Sequence, residues 1–261
     1  MKEAMVGDTI FPADELLVTI PGTPVKSREE IERVAFPTRS VSREEIKTAF
    51  DAEVKRIADR FGSELYRSQH IFNCEMRRLC SLLPASAEIP TASRILLIVV
   101  SEWLLPLALK LRILTGWPGA SRIQLHAVNT PDPLFTRPIR SYIIYGVERG
   151  DCFRGARLSD ALSAILRNRQ RPLLHREALA LAIAEPSLLL LERGLDCAYS
   201  LYSDGAVVLW RPNSRASFDY RSLQTPDSRF ITPSCAVSPI TVQTDQSPSF
   251  YISELCLSEP E

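Results

Sequence analysis

The sequence predicts an α+β fold: a helical N-terminal part, then a mixed sheet with two helices and a C-terminal hairpin and strand region. Three observations carry this expectation. Helix-start signals and three-four apolar spacing crowd into residues 27–83. Continuous apolar runs at 95–100 and 142–147 have the length of buried strands. Asp204-Gly205 sits between two further apolar runs, which is a hairpin signal. Helices early, strands late and alternation between them describe α+β rather than a regular α/β repeat.

The elements follow in order. Leu16 to Ile20 is a short apolar run stopped by Pro21-Gly22 and Pro24. Ser27-Arg28-Glu29-Glu30-Ile31 then recurs as Ser42-Arg43-Glu44-Glu45-Ile46. Each copy is a capping box, in which the Ser hydroxyl accepts from the third backbone N–H and the Glu reaches back. The second copy opens the clearest helix, with Ile46, Ala49, Phe50, Val54, Ile57, Ala58 and Phe61 on one face, Glu53 as a polar intruder and Gly62 as the expected stop. A further helix is expected over 64–83, ending before Pro84, and a loop over Glu88 to Ser93.

Ile95 to Val100 is expected to be a central strand. Leu107 to Leu114 has mixed signals and reads as a helix from its Leu, Ala, Lys and Arg content. Tyr142 to Val147 is a strand ended by Arg149-Gly150-Asp151. Helices follow over Ser159–Asn168 and about His175–Ala184, closed by Glu185-Pro186. Cys197–Tyr202 and Ala206–Trp210 form the hairpin, and Phe250–Leu257 is the last expected strand. The domain division is an N-terminal arm with a short helix (1–40), one α+β domain (41–257) and a frayed tail (258–261).

Composition narrows the class. The 261 residues are 45% hydrophobic and 24% charged, ordinary globular usage that allows a substantial core. Lys+Arg and Asp+Glu are 31 each, so no global field recruits nucleic acid or an acidic membrane. The most membrane-like run, Ile95 to Leu114, is interrupted by Glu102, Pro106, Lys110 and Arg112, and no span is expected. Lys2, Glu3 and Asp8 stand where a signal peptide would be apolar, and the six cysteines lack scaffold spacing. The expected location is a reducing cytoplasm with free thiols.

The search for chemistry begins with absences. The ten glycines form no phosphate-binding loop, and neither a G-x-S-x-G elbow nor H-E-x-x-H is present. His70 and Cys74 share a helix face, but a zinc site takes four convergent ligands and Cys80 falls off that face. No metal or other cofactor is expected. For a thiol mechanism, Cys235 is the leading nucleophile because polar residues surround it. Cys152 is the second, beside Arg149 and Arg154, which would lower its pKa, and His175 is a candidate base. From Arg137 to Arg176 nine arginines face three acids, a surplus of six positive charges. Arg167, Arg169, Arg171 and Arg176 are the candidate anion ligands, because the planar guanidinium suits phosphate and carboxylate.

Three segments resemble a largely actinobacterial family known only as a domain of unknown function. Tyr142-Ile143-Ile144-Tyr145-Gly146-Val147-Glu148-Arg149-Gly150 is similar to its strand and glycine turn. Arg171-Pro172-Leu173-Leu174-His175-Arg176-Glu177-Ala178-Leu179-Ala180-Leu181 is similar to its Arg, Pro-Leu and Glu segment before an apolar helix. Ser234-Cys235 is similar to its closing Ser-Cys. The likeness spans Ser141 to about Ser238. The chain departs from it at Ala178, where the family has Gly, and at Glu185-Pro186, where it has His-Pro. The family's Trp-rich stretch with Asn-Pro-His has no counterpart between Pro212 and Ile231. The resemblance implies an intracellular bacterial protein and brings no activity. Three His, no recognised catalytic motif, abundant apolar residues and a Pro/Ser-rich C-terminal part make the expected function a non-catalytic protein-binding or assembly module, with a protein partner or a second copy of itself. A thiol enzyme and an anion or RNA binder using 137–176 are the alternatives.

Overall fold

The computed structural model describes residues 25–65, 68–115, 140–189, 193–202, 205–210 and 217–237. Within them the fold is α+β, with open sheets and no barrel. The expected last strand at 250–257, the tail at 258–261 and the run at 16–20 lie outside the described residues.

Both capping boxes form. Ser27 opens α1 (Arg28–Glu32), with Glu30 N donating to its hydroxyl and Ser27 N donating to the Glu30 carboxylate. Ser42 and Glu45 repeat the exchange at 3.3 and 2.9 Å at the head of α2 (Arg43–Leu65). Helix α2 buries Ile46, Phe50, Ile57 and Phe61, the stripe its spacing demands. It does not stop at Gly62 but runs to Leu65, which packs in the core. A Cβ at Gly62 would meet nothing within 4 Å, so the glycine leaves the turn exposed without breaking it. Helix α3 (Gln69–Ser81) packs back through Phe72, Met76 and Leu79.

The expected loop at 88–93 is corrected, because residues 88–90 belong to a strand. Strand β1 (Thr38–Ser42) pairs antiparallel with β2 (Ser86–Pro90), from Thr38↔Pro90 to Ser42↔Ser86. Val41, Ile89 and Pro90 are the buried residues of this ribbon, too sparse an alternation for either half to read as a strand alone. The short helix expected in the arm is α1, and its Ile31 packs with Phe153, Ala161 and Ile165 in a satellite core.

Strand β3 (Arg94–Val99) pairs antiparallel with β4 (Tyr142–Val147), and every β3 residue from Leu96 to Val99 is buried. The membrane-like run thus divides into β3, a turn and α4 (Leu107–Thr115). Among the described residues, no helix is long and apolar enough to cross a membrane. Helix α5 (Leu158–Arg167) leads into β5 (Gln170–Pro172), and α6 (His175–Ala184) ends at Glu185-Pro186 as expected. The hairpin pairs β6 (Gly194–Tyr202) with β7 (Gly205–Trp210). With β8 (Ser217–Ser222) and β9 (Phe230–Ile231) it forms a sheet of order β8-β7-β6-β9, in which β9 lies parallel to β6. Strand β10 (Ser234–Ala236) pairs with β5, and residue 148 bridges to residue 234. The main core lies where α2 and α6 cover the β3–β4 ribbon and the four-stranded sheet.

Candidate functional site

Two polar places stand out against this core. The first is sealed and lies under the start of α6. The extended Pro172-Leu173-Leu174 segment turns into the helix, and Glu177, in its first turn, reaches back to accept from Leu174 N at 2.9 Å. The same carboxylate accepts from both ends of the Arg171 guanidinium at 2.7 and 2.8 Å and from the Tyr142 hydroxyl at 3.1 Å. Glu177 is fully buried, so this pairing offsets the cost of desolvating its charge. Burial, followed by the Glu177 charge, pushes the Tyr142 phenol well above its ordinary range.

Beside it lie Lys110 from α4 and His175 and Arg176 from α6, all buried. Lys110 Nζ donates to the Val100 carbonyl at 2.5 Å. Burial, with Arg176 adding repulsion, lowers its amine to about 8, against a partial rise from Glu102. Burial, then Arg176 and Lys110, lowers His175 to about 3, so its ring is neutral at pH 7. The ring stands edge-to-face on Phe218 at 5.9 Å. Cys235, paired across the β5–β10 ladder with Arg171, is fully buried, and burial raises its thiol to about 12.

The second place is open. A cleft of about 780 Å³ lies between the 35–37 segment, the 90–93 turn, the end of β4 with its following turn, and the end of α6. Its floor is Pro90, Val147 and Gly150, all buried, and its walls include the exposed Ala35, Pro37, Thr91, Ala92, Arg149 and Asp151. Gly150 holds the turn at φ +80, and a Cβ there would lie 2.1 Å from the Thr232 carbonyl oxygen, so only glycine fits. Arg94 binds Glu53 at 2.7 Å and Glu185 at 3.2 Å, and Arg149 approaches Asp151 at 3.1 Å and Glu185 at 3.7 Å. Glu148, half-buried, has its carboxyl raised by burial, and no ion pair reaches it among the described residues.

The structure distributes the sequence candidates between these places. Arg171, Arg176, His175 and Cys235 belong to the sealed cluster. Cys152 lines the cleft, but the expectation that Arg149 and Arg154 would activate it is corrected. Both guanidiniums turn to Asp151, and burial pushes the thiol up to about 11. The four anion candidates do not share a surface either. Arg171 and Arg176 face inward, while Arg167 donates to the Glu32 carbonyl at the surface and Arg169 is exposed with φ 55. Sulfur and nitrogen of Cys74 and His70 do meet, at 3.7 Å, yet among the described residues no three His, Cys, Asp or Glu side chains converge as a metal would need.

No family model, no curated protein and no solved structure matches the chain. Glu177, Tyr142, Lys110 and Glu148 were not legible as site residues in the sequence. The one local signal was Glu177 three residues after Leu174, the spacing of a carboxylate that reaches back to a helix start.

Proposed function

We propose that this protein is a non-catalytic binding module that takes a segment of a protein partner into the cleft beside Glu148. The observation that carries this reading is the cleft itself: about 780 Å³, with a buried floor and exposed walls drawn from four separate segments. Pockets for small ligands enclose most of their occupant, whereas this one is open along its rim and suits a chain that enters and leaves. The state of the groups that catalysis would need supports the same reading. Both candidate thiols are held protonated by burial, Cys235 at about 12 and Cys152 at about 11. His175 is neutral and packed on Phe218. A thiolate nucleophile needs the opposite surroundings.

The test is to pan a random heptapeptide library on the full chain and measure enriched peptides against Ala92→Trp. Ala92 is exposed on the cleft rim, so an indole there fills the opening without disturbing the floor. Enriched peptides are expected to lose about tenfold or more in affinity. Peptides that bind the variant as well as the wild type overturn the cleft as the recognition site.

A further inference from the structure

The cleft brings three carboxylates, Glu148, Asp151 and Glu185, together with two guanidiniums, Arg94 and Arg149. The two arginines are already engaged. Arg94 is shared between Glu53 and Glu185, and Arg149 between Asp151 and Glu185. An incoming anion would have to displace these carboxylates. Glu148 is the acid left over. It is half-buried, and no cation pairs with it among the described residues.

Its position is also fixed from both sides. Glu148 N donates to the Ser234 carbonyl at 2.8 Å and Ser234 N donates to the Glu148 carbonyl at 3.1 Å. The backbone is thereby clamped to β10, and two residues on, Gly150 closes against Thr232. A carboxylate held in place and partly stripped of water, without a counter-charge, is stabilised by any cation that arrives. Around it, Phe36, Pro37, Pro90 and Val147 give apolar surface for the aliphatic stem that precedes an ammonium or guanidinium.

We propose that Glu148 anchors a lysine or arginine side chain of the bound partner, with the stem lying on Phe36 and Pro37. This rests on the reading of the cleft as the recognition site. The probes are four blocked, fluorescein-labelled heptapeptides of one enriched sequence, differing only at a central Lys, Arg, Gln or Glu, titrated by fluorescence anisotropy. The Lys and Arg peptides are expected to bind about tenfold more tightly than the Gln peptide, and the Glu peptide more weakly still. Glu148→Gln is expected to erase the preference while leaving the melting curve in place, and Glu148→Lys to turn it toward the Glu peptide. A cation preference that survives Glu148→Gln, or a Glu peptide that binds the wild type best, overturns the proposal. So does failure of the Lys and Arg peptides to bind up to about 1 mM. Loss of binding in Ala92→Trp with indifference to Glu148→Gln sinks the cation anchor alone. Unchanged binding in Ala92→Trp sinks the cleft as well.

Discussion

At the scale of single residues, the interior is controlled by charges that must be either paired or neutral. His175 is the neutral case. Its pKa is about 3 in the fold, against the ordinary 6.5 expected once it is released. Below 6.5 the unfolded chain therefore takes up a proton that the folded one refuses, and stability contributed by this residue is lost as pH falls from 6.5 toward 3. Between pH 7 and pH 4.5 this loss is about 2–3 kcal/mol, and His175→Gln is expected to lack it. Urea unfolding at the two pH values checks this, and equal acid sensitivity of wild type and variant would contradict it. Lys110 has the same sign in a higher window. With an amine at about 8 in the fold and 10.5 outside it, the charged form is disfavoured, so stability rises as pH climbs from 8 to 10.5. Lys110→Met is expected to abolish that rise, worth about 3 kcal/mol, in denaturant midpoints compared across that range. Glu177 is the paired case. Removing its charge leaves the mostly buried Arg171 guanidinium without its carboxylate, so Glu177→Gln is expected to cost about 3 kcal/mol in equilibrium unfolding.

At the scale of elements, local chemistry and non-local pairing divide the work. The start of α2 is local: Ser42 and Glu45 satisfy two backbone donors that the helix itself leaves open. Ser42→Ala is expected to cost about 1 kcal/mol, read as a drop in thermal midpoint, and an unchanged midpoint would mean the box contributes nothing. These local signals were readable because partner and donor lie three residues apart. The same holds for the apolar runs of β3 and β4 and the Asp-Gly spacing between β6 and β7. The β1–β2 ribbon was hidden for the opposite reason. Thr38 and Pro90 are joined by a register that no local pattern encodes, and β2 contains Ser, Glu and Pro, which are poor strand formers. Strand β5 is only three residues long and exists because β10, more than sixty residues later, lies beside it.

At the scale of the whole molecule, the segment after β8 ties the four-stranded sheet to β5 and to the end of β4. Strand β9 adds to β6, Thr232 donates to the buried Asp196 carboxylate at 2.7 Å, and β10 closes on β5 and Glu148. Asp196 also takes the Arg221 guanidinium at 2.8 and 2.9 Å, so the sheet and the cleft share this anchorage. The sequence by itself determined the α+β class, both helix starts, the central strands and the hairpin, because hydrophobic period and cap chemistry act over a few residues. It also named Cys152, His175, Arg171, Arg176 and Cys235 as notable, from residue type and immediate sequence neighbours. Only the tertiary structure decided what those groups are. Burial raised the thiols of Cys152 and Cys235 and neutralised His175, and pairing with Glu177 occupied Arg171. Among the described residues it also left Glu148 without an ion pair, because desolvation and the distribution of ion pairs depend on which distant segments meet.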